Sequence, residues 1–398
     1  MAPITRWLAQ RALAAAGALL LAPAAPARPY VPPNDATVLE RLPGKPGDAI
    51  GRELRELRAR LAAQPDDLDA AVSLGRRYFR LAMAEGDPRY VGYAEAALRP
   101  WSGKDAPHDV LVVRALLKQY RHDFAGALDD LAAAAKSDAT DPEVWSWRAA
   151  ILLVQADYAG AASACEALRE TGQPLDWVGC KTSVDGVTGR AGSAYAQLSE
   201  SLARTRSVRA GPKLWMLTRL AEFSLVLDQP DRAERHFKEA LALGVNDQFL
   251  LAGYADFLLD RGRAADVVAL LGGWTRSDAL LLRLALAEKA TRAPALDEHV
   301  RALQARFDAA ARRGDKLHQQ EEARFHLHLL GDRARALALA RENWTLQREP
   351  RDARVLLEAA LAANDPAAAR PALEWLARSG YEDPRLRRVA VQLEAAQR

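Results

Sequence analysis

Cysteine is almost missing from this chain. Of 398 residues only Cys165 and Cys180 are cysteines, which excludes a disulfide-dense scaffold and a cysteine-ligated zinc cluster. Two thiols leave two readings open. In an exported protein they can form one bridge, closing a loop of about 15 residues at a gain of roughly 3 kcal/mol; alternatively Cys165 is a small buried hydrophobe. Aromatic residues are scarce, at 7%. A surplus of either charge is lacking too, with 55 Lys and Arg against 52 Asp and Glu. The first 27 residues hold two arginines and no acid, so without them the balance is 53 against 52. That gives no electrostatic basis for binding nucleic acid or an anionic lipid surface. After residue 27 no apolar run is long enough to span a membrane.

Sites of chemistry are equally sparse. There are seven histidines, and His326 and His328, two apart on an expected helix, point to different sides rather than to one metal. "VDGVTGRAGSAYAQL" carries Gly186, Gly189 and Gly192, but no strand leads into it, so it reads as a loop at the turn of a repeat rather than a phosphate cradle. No Gly-x-Ser-x-Gly elbow is present. Neither a cofactor nor a metal site is expected, and none of these residues makes an enzyme.

What is present begins with a targeting pattern. "MAPITRWLAQR" carries Arg6 and Arg11 and no acid, "ALAAAGALLLAPAA" is a short apolar run, and Ala25-Pro26-Ala27 fits a small-x-small cleavage site. Residues 1–27 are therefore expected to be a cleavable signal peptide, placing the mature chain in the periplasm or outside the cell. The high alanine and arginine content accords with a bacterial source. Residues 28–48, "RPYVPPNDATVLERLPGKPGD", read as a proline-rich extended leader.

From residue 49 the pattern is helical. Alanine, the best helix former, recurs in runs, and no segment keeps a period of two. Short polar turns ("RHD", "QAD", "DRGR", "ANDP") interrupt the pattern once per helix length. The units repeat. Ala221, Asp228, Ala233 and Phe237 recur as Ala255, Gly262, Val267 and Leu271, all at one constant interval. Leu111, Ala115, Phe124, Ala127 and Leu131 recur as Trp145, Ala149, Tyr158, Ala161 and Cys165 at the same interval. That interval is the ~34-residue period of a helix–turn–helix repeat. Small residues let paired helices approach, large ones fill the groove to the next unit, and no unit buries its apolar face alone. Full or partial units are placed at 68–107, 108–141, 142–174, 175–208, 214–247, 248–276, 317–349 and 350–382. A half unit covers 49–66, a poorly patterned helical stretch 277–313, and a capping helix 383–398.

This signature resembles the tetratricopeptide repeat (TPR) family, in an exported bacterial form. "AVSLGRRYF" places Leu74, Gly75 and Tyr78 in the family's first-helix slots, "RAERHFKEA" places Ala233, Phe237 and Ala240 in its second-helix slots, and Pro65 takes the boundary slot. The resemblance implies an all-α fold, a right-handed superhelical α-solenoid over residues 49–398. It implies a groove lined by first-helix residues that takes a peptide or protein partner; the groove candidates are Arg76, Gln119, Ser146, Trp215, Glu222 and Asp256. Relatives that clamp a C-terminal carboxylate use lysines and asparagines on successive first helices. Here Leu116, Ala150, Glu222 and Asp256 hold such places, which does not support chaperone-tail binding. Trp147 reads as packing between repeats. The function implied is an exported protein-interaction scaffold. The alternatives are a structural assembly factor of a cell-envelope complex, or a wall-active enzyme on a helical solenoid, for which the repeats leave no room.

One stretch tests that reading. "QPDRAERHFKEALALGVND" gathers Asp231, Glu234, His236, Lys238 and Glu239 as acid–base machinery would. Helical spacing assigns the buried stripe to Ala233, Phe237 and Ala240, with His236 at its margin, and Glu234 and Lys238 stand in the favoured order for a surface ion pair. It reads as the wet side of a helix.

Overall fold

The computed structural model describes Asn34 and residues 49–396. By contact the chain divides into two units, Met1–Arg52 and Glu53–Arg398. The expected signal peptide lies outside the described residues, as does the leader apart from the exposed Asn34. The described residues form 20 α-helices and no strand. A leading helix, α1 (Ala49–Ala63), precedes nine consecutive pairs: α2/α3 (Leu68–Glu85, Arg89–Leu98), α4/α5 (His108–Tyr120, Phe124–Ser137), α6/α7 (Pro142–Val154, Tyr158–Thr171), α8/α9 (Pro174–Val187, Ala191–Arg204), α10/α11 (Ala210–Val226, Pro230–Leu241), α12/α13 (Gln248–Asp260, Ala264–Leu271), α14/α15 (Asp278–Thr291, Leu296–Arg312), α16/α17 (Gln319–Phe325, Arg333–Leu346) and α18/α19 (Pro350–Ala362, Arg370–Ser379). A final helix, α20 (Pro384–Ala395), closes the series. The second unit is thus an all-α solenoid of stacked helix–turn–helix pairs.

The turn inside each pair has a recurring local cause. His122, Ala156, Asp228, Gly262, Gly331 and Asn364 all take the left-handed conformation, with φ between 54° and 73°. The amide three residues after the first helix then bonds back to a carbonyl five residues earlier, as in Asp123 to Lys118 and Asp157 to Leu152, both 2.9 Å, and Arg263 to Leu258, 2.9 Å. These bonds satisfy carbonyls that the helix end would leave unpaired. At Asp123, Asp157 and Asp332 the side chain caps the second helix by accepting a backbone N–H, and Asp365 does the same for the short 3-10 turn that leads into α19. Asp228 and Gly262, matched one repeat apart in the sequence, share this left-handed geometry.

The small–large register of the second helices is the core. Ala127 and Leu131, Ala161 and Cys165, Ala194 and Leu198, Ala233 and Phe237, Val267 and Leu271 are all buried. The small member lets its partner helix approach, and the large one fills the gap to the next pair. Residues 277–313 are an ordinary pair, although no clear pattern was expected there. On α14, Leu280, Leu281, Leu282, Leu284, Ala285 and Ala287 are all buried together with Arg283 and Glu288. A helix surrounded on every side shows no single apolar face, so its period is hidden.

The last pairs do not simply extend the stack; they meet earlier ones. The Arg348 amide donates to the Val154 carbonyl at 2.8 Å, and the Trp375 indole N–H donates to the Tyr158 hydroxyl at 2.7 Å. The Ala191 amide donates to the Glu382 carboxylate at 3.1 Å. Gly189 and Gly380, at φ 76° and 67°, pass backbone to backbone, and a Cβ on Gly189 would lie 3.0 Å from the Gly380 carbonyl oxygen. Ala191 and Val226 accordingly share one apolar cluster with residues 323–393.

Candidate binding surface on the first-helix face

The groove candidates sit on first helices, and the structure places them in three different situations. Arg76, on α2, is held by Glu143 at 2.5 Å and lies 3.7 Å from Asp109. Gln119, on α4, is half-buried, and its side-chain oxygen is enclosed without a hydrogen-bond partner. Ser146, on α6, turns its hydroxyl onto the Pro142 carbonyl at 2.8 Å. Of these three only Arg76 is tied across the N-terminal pairs, while Ser146 bonds within its own helix. Nearby, Trp147 packs edge-on against Phe79 at 5.6 Å.

Glu222 and Asp256 are engaged by their own chain. Glu222 pairs with Arg219 at 2.7 Å. Asp256, on α12, accepts from Arg283 at 2.7 Å and from Arg324 at 2.9 Å. Burial works against its charge, but the two guanidinium groups prevail and hold the carboxyl well below the usual carboxylate range. One turn on, Asp260 takes Arg354 at 2.7 Å and Arg385 at 3.1 Å. Arg354 also pairs with Glu358 at 2.7 Å, and His328 lies 3.4 Å from the same carboxylate. Asp256, expected as a groove residue, is therefore the counter-ion of a buried arginine, because α14, α16, α18 and α20 bring their cations onto this stretch of α12.

Trp215 differs. It stands on α10, 42% accessible, with its ring edge against Gly179. The matching position one repeat later is Phe249 of α12, also 42% accessible, with the Arg351 guanidinium 5.9 Å from its centroid. Phe249 escaped the sequence reading. Its interval from Trp215 was the available signal, but "NDQFLLAGYADFLL" offers several apolar residues and nothing marks which stay outside.

The apparent acid–base cluster resolves into surface and packing. Glu234 accepts from Lys238 at 2.9 Å, Arg263 at 2.8 Å and Tyr254 at 3.1 Å. Partial burial raises its pKa, yet these partners outweigh that and bring it to about 2. His236 contacts the Tyr195 hydroxyl at 2.9 Å, and burial lowers its pKa. Ala233, Phe237 and Ala240 are fully buried. Cys165 and Cys180 are joined in a disulfide with Cα atoms 5.6 Å apart, tying α7 to the first helix of the next pair. Among the described residues no three His, Cys, Asp or Glu side chains gather as a metal ion would require, and no helix is long and apolar enough to cross a membrane.

No family model matches this chain, and no curated protein sequence matches it. Among solved structures it is similar to yeast Tom70, at 12% identity over 87% of this chain and 92% of that one, with a TM-score of 0.33. It is also similar to the TPR domain of P58(IPK), at 14% identity over 87% of this chain and 93% of that one, with a TM-score of 0.21. The helix-pair stacking described above stands on the chain's own geometry.

Proposed function

We propose that this chain is an exported protein-interaction scaffold that binds a peptide or protein partner on the first-helix face at Trp215 and Phe249. One observation carries the reading. Two large rings at equivalent repeat positions stay exposed, on a face where most other side chains are taken up internally. Exposed aromatic anchors with a rim of charge are the usual source of binding energy in protein interfaces. Export is supported by the basic, apolar and small-x-small order of residues 1–27, and a Cys165–Cys180 bridge accords with an oxidising compartment. The reading is a non-enzymatic one.

Cross-linking in the native cell envelope, followed by mass spectrometry, tests it. The wild-type chain captures a defined partner, and the double variant Trp215→Ala, Phe249→Ala loses it while keeping its helical content. An unchanged capture by the folded double variant rejects the reading. The second reading is an assembly factor of an envelope complex that uses an end of the array. It is favoured by Val391, 64% accessible on the last helix, and would show as capture lost with Val391→Glu but kept without the rings.

A further inference from the structure

A cleft of about 650 Å³ lies where the turns of α6/α7 and α8/α9 face α17 and α19. Tyr158 and Arg190 come from the first side, and Trp344, Arg348, Trp375 and Arg378 from the second. Its volume is that of an ordinary small-ligand site. The floor is tryptophan: Trp344 and Trp375 are 7% and 3% accessible and meet edge to face at 5.9 Å.

The polar groups are unbalanced toward donors. The Trp375 indole N–H donates to the Tyr158 hydroxyl at 2.7 Å. An indole nitrogen can only donate, so the hydroxyl accepts there and keeps its own hydrogen to give. Burial pushes Tyr158 up to about 12, which keeps that hydrogen in place at neutral pH. Arg348 places its Nε 3.3 Å from the Trp344 carbonyl and pairs with no carboxylate among the described residues. The exposed Arg378 side chain makes no hydrogen bond or ion pair among them. Arg190 is partly neutralised by Asp185 at 2.7 Å. The lining's one acid, Glu374, is 4.0 Å from Arg370, which does not line the cleft. Two exposed arginine forks without a carboxylate partner and a phenol hydrogen therefore line one cleft that holds a single acid, a donor set suited to a planar or tetrahedral oxyanion.

We propose that this cleft binds an organic oxyanion, a carboxylate or phosphate group carried on a body small enough to lie on the tryptophan floor. Arg348 and Arg378 clamp the anion, and Tyr158 adds a third donor. The site is separate from the Trp215 and Phe249 surface and does not rest on the interaction reading. Its walls come from residues 156–190 and 344–379, so a bound anion joins early pairs to late ones and stabilises the folded chain in proportion to its occupancy.

Titration calorimetry of the purified full chain tests this, with inorganic phosphate, N-acetylglutamate and a tetraglutamate peptide as probes. At least one is expected to bind saturably with one site per chain. Its affinity falls about tenfold or more, close to 1.4 kcal/mol, in Arg348→Gln and in Arg378→Gln. It is unchanged in Arg301→Gln, an exposed arginine away from the cleft. Arg378 makes no contact that folding needs, so its variant remains informative if Arg348→Gln is destabilised. Tetraglutamate binding much tighter than N-acetylglutamate supports the site and identifies an acidic chain segment as the source; equal affinity supports it with a free acid as the source. No saturable binding by any probe, or binding that survives the combined Arg348→Gln, Arg378→Gln variant, overturns the proposal.

Discussion

On α12, Phe249 and Asp256 stand two turns apart and meet opposite fates. Phe249 is left outside with Trp215 of the preceding repeat, while Asp256 is enclosed between Arg283 and Arg324. The difference lies in what the later pairs bring. Arg324 and Arg354 come from helices 68 and 94 residues further along, and guanidinium groups entering a crowded interior need carboxylates as partners. They converge on Asp256 and Asp260, so that stretch is spent on holding the array together. The Trp215 and Phe249 stretch receives only Arg351, over the face of one ring. One helix face thus serves cohesion at one end and leaves two large rings exposed at the other.

The strongest way to break the comparison is Asp256→Ala. It strands Arg283, 4% accessible, and is expected to cost about 3–5 kcal/mol, the range for removing one partner of a buried pair; urea denaturation measures it. Reducing the Cys165–Cys180 bridge comes next, at about 3 kcal/mol for a loop of this length, read as a lower thermal midpoint in dithiothreitol with no loss of helix at about 25 °C. Acid probes the cohesive end, together with Glu234 on α11. Asp256 is held well below its ordinary value, and Glu358 is brought to about 2 as His328 and Arg354 outweigh its burial. Both carboxyls bind protons more weakly folded than unfolded. The stability they lend is therefore fully present above about pH 4.5 and lost as pH falls toward 2, and thermal midpoints recorded from pH 6 to pH 3 should decline. At the exposed end Trp215→Ala should change stability by about 1 kcal/mol or less, while the proposed reading expects partner capture to be lost. The smallest effect is expected at Lys238, 61% accessible and one of three partners of Glu234: Lys238→Ala costs a few tenths of a kcal/mol.

Much of this was legible in the residues. The repeat interval placed Ala233, Phe237, Val267 and Leu271 on buried stripes, and the structure buries each of them. It matched Asp228 with Gly262, and both take the left-handed turn. The charged run around His236 read as a helix surface, and the structure shows ion pairs and one tyrosine contact there. The groove list fared differently. Of its six members, Trp215 is openly exposed, whereas Asp256 is tied to arginines that share no local pattern with it. The oxyanion cleft left no trace in the sequence either, because Tyr158 and Trp375 are 217 residues apart.

The sequence by itself determined the helix pair: its length, its turn and its small–large register. Those depend on neighbours within one unit or the next, and a repeat writes them again in every unit. Only the tertiary structure decided which first-helix side chains stay exposed and which face the chain itself. A carboxylate on a helix reads the same whether water or a distant guanidinium lies opposite. That choice is made when pairs far apart in sequence meet, where charge must find charge and whatever remains unpaired is left facing solvent.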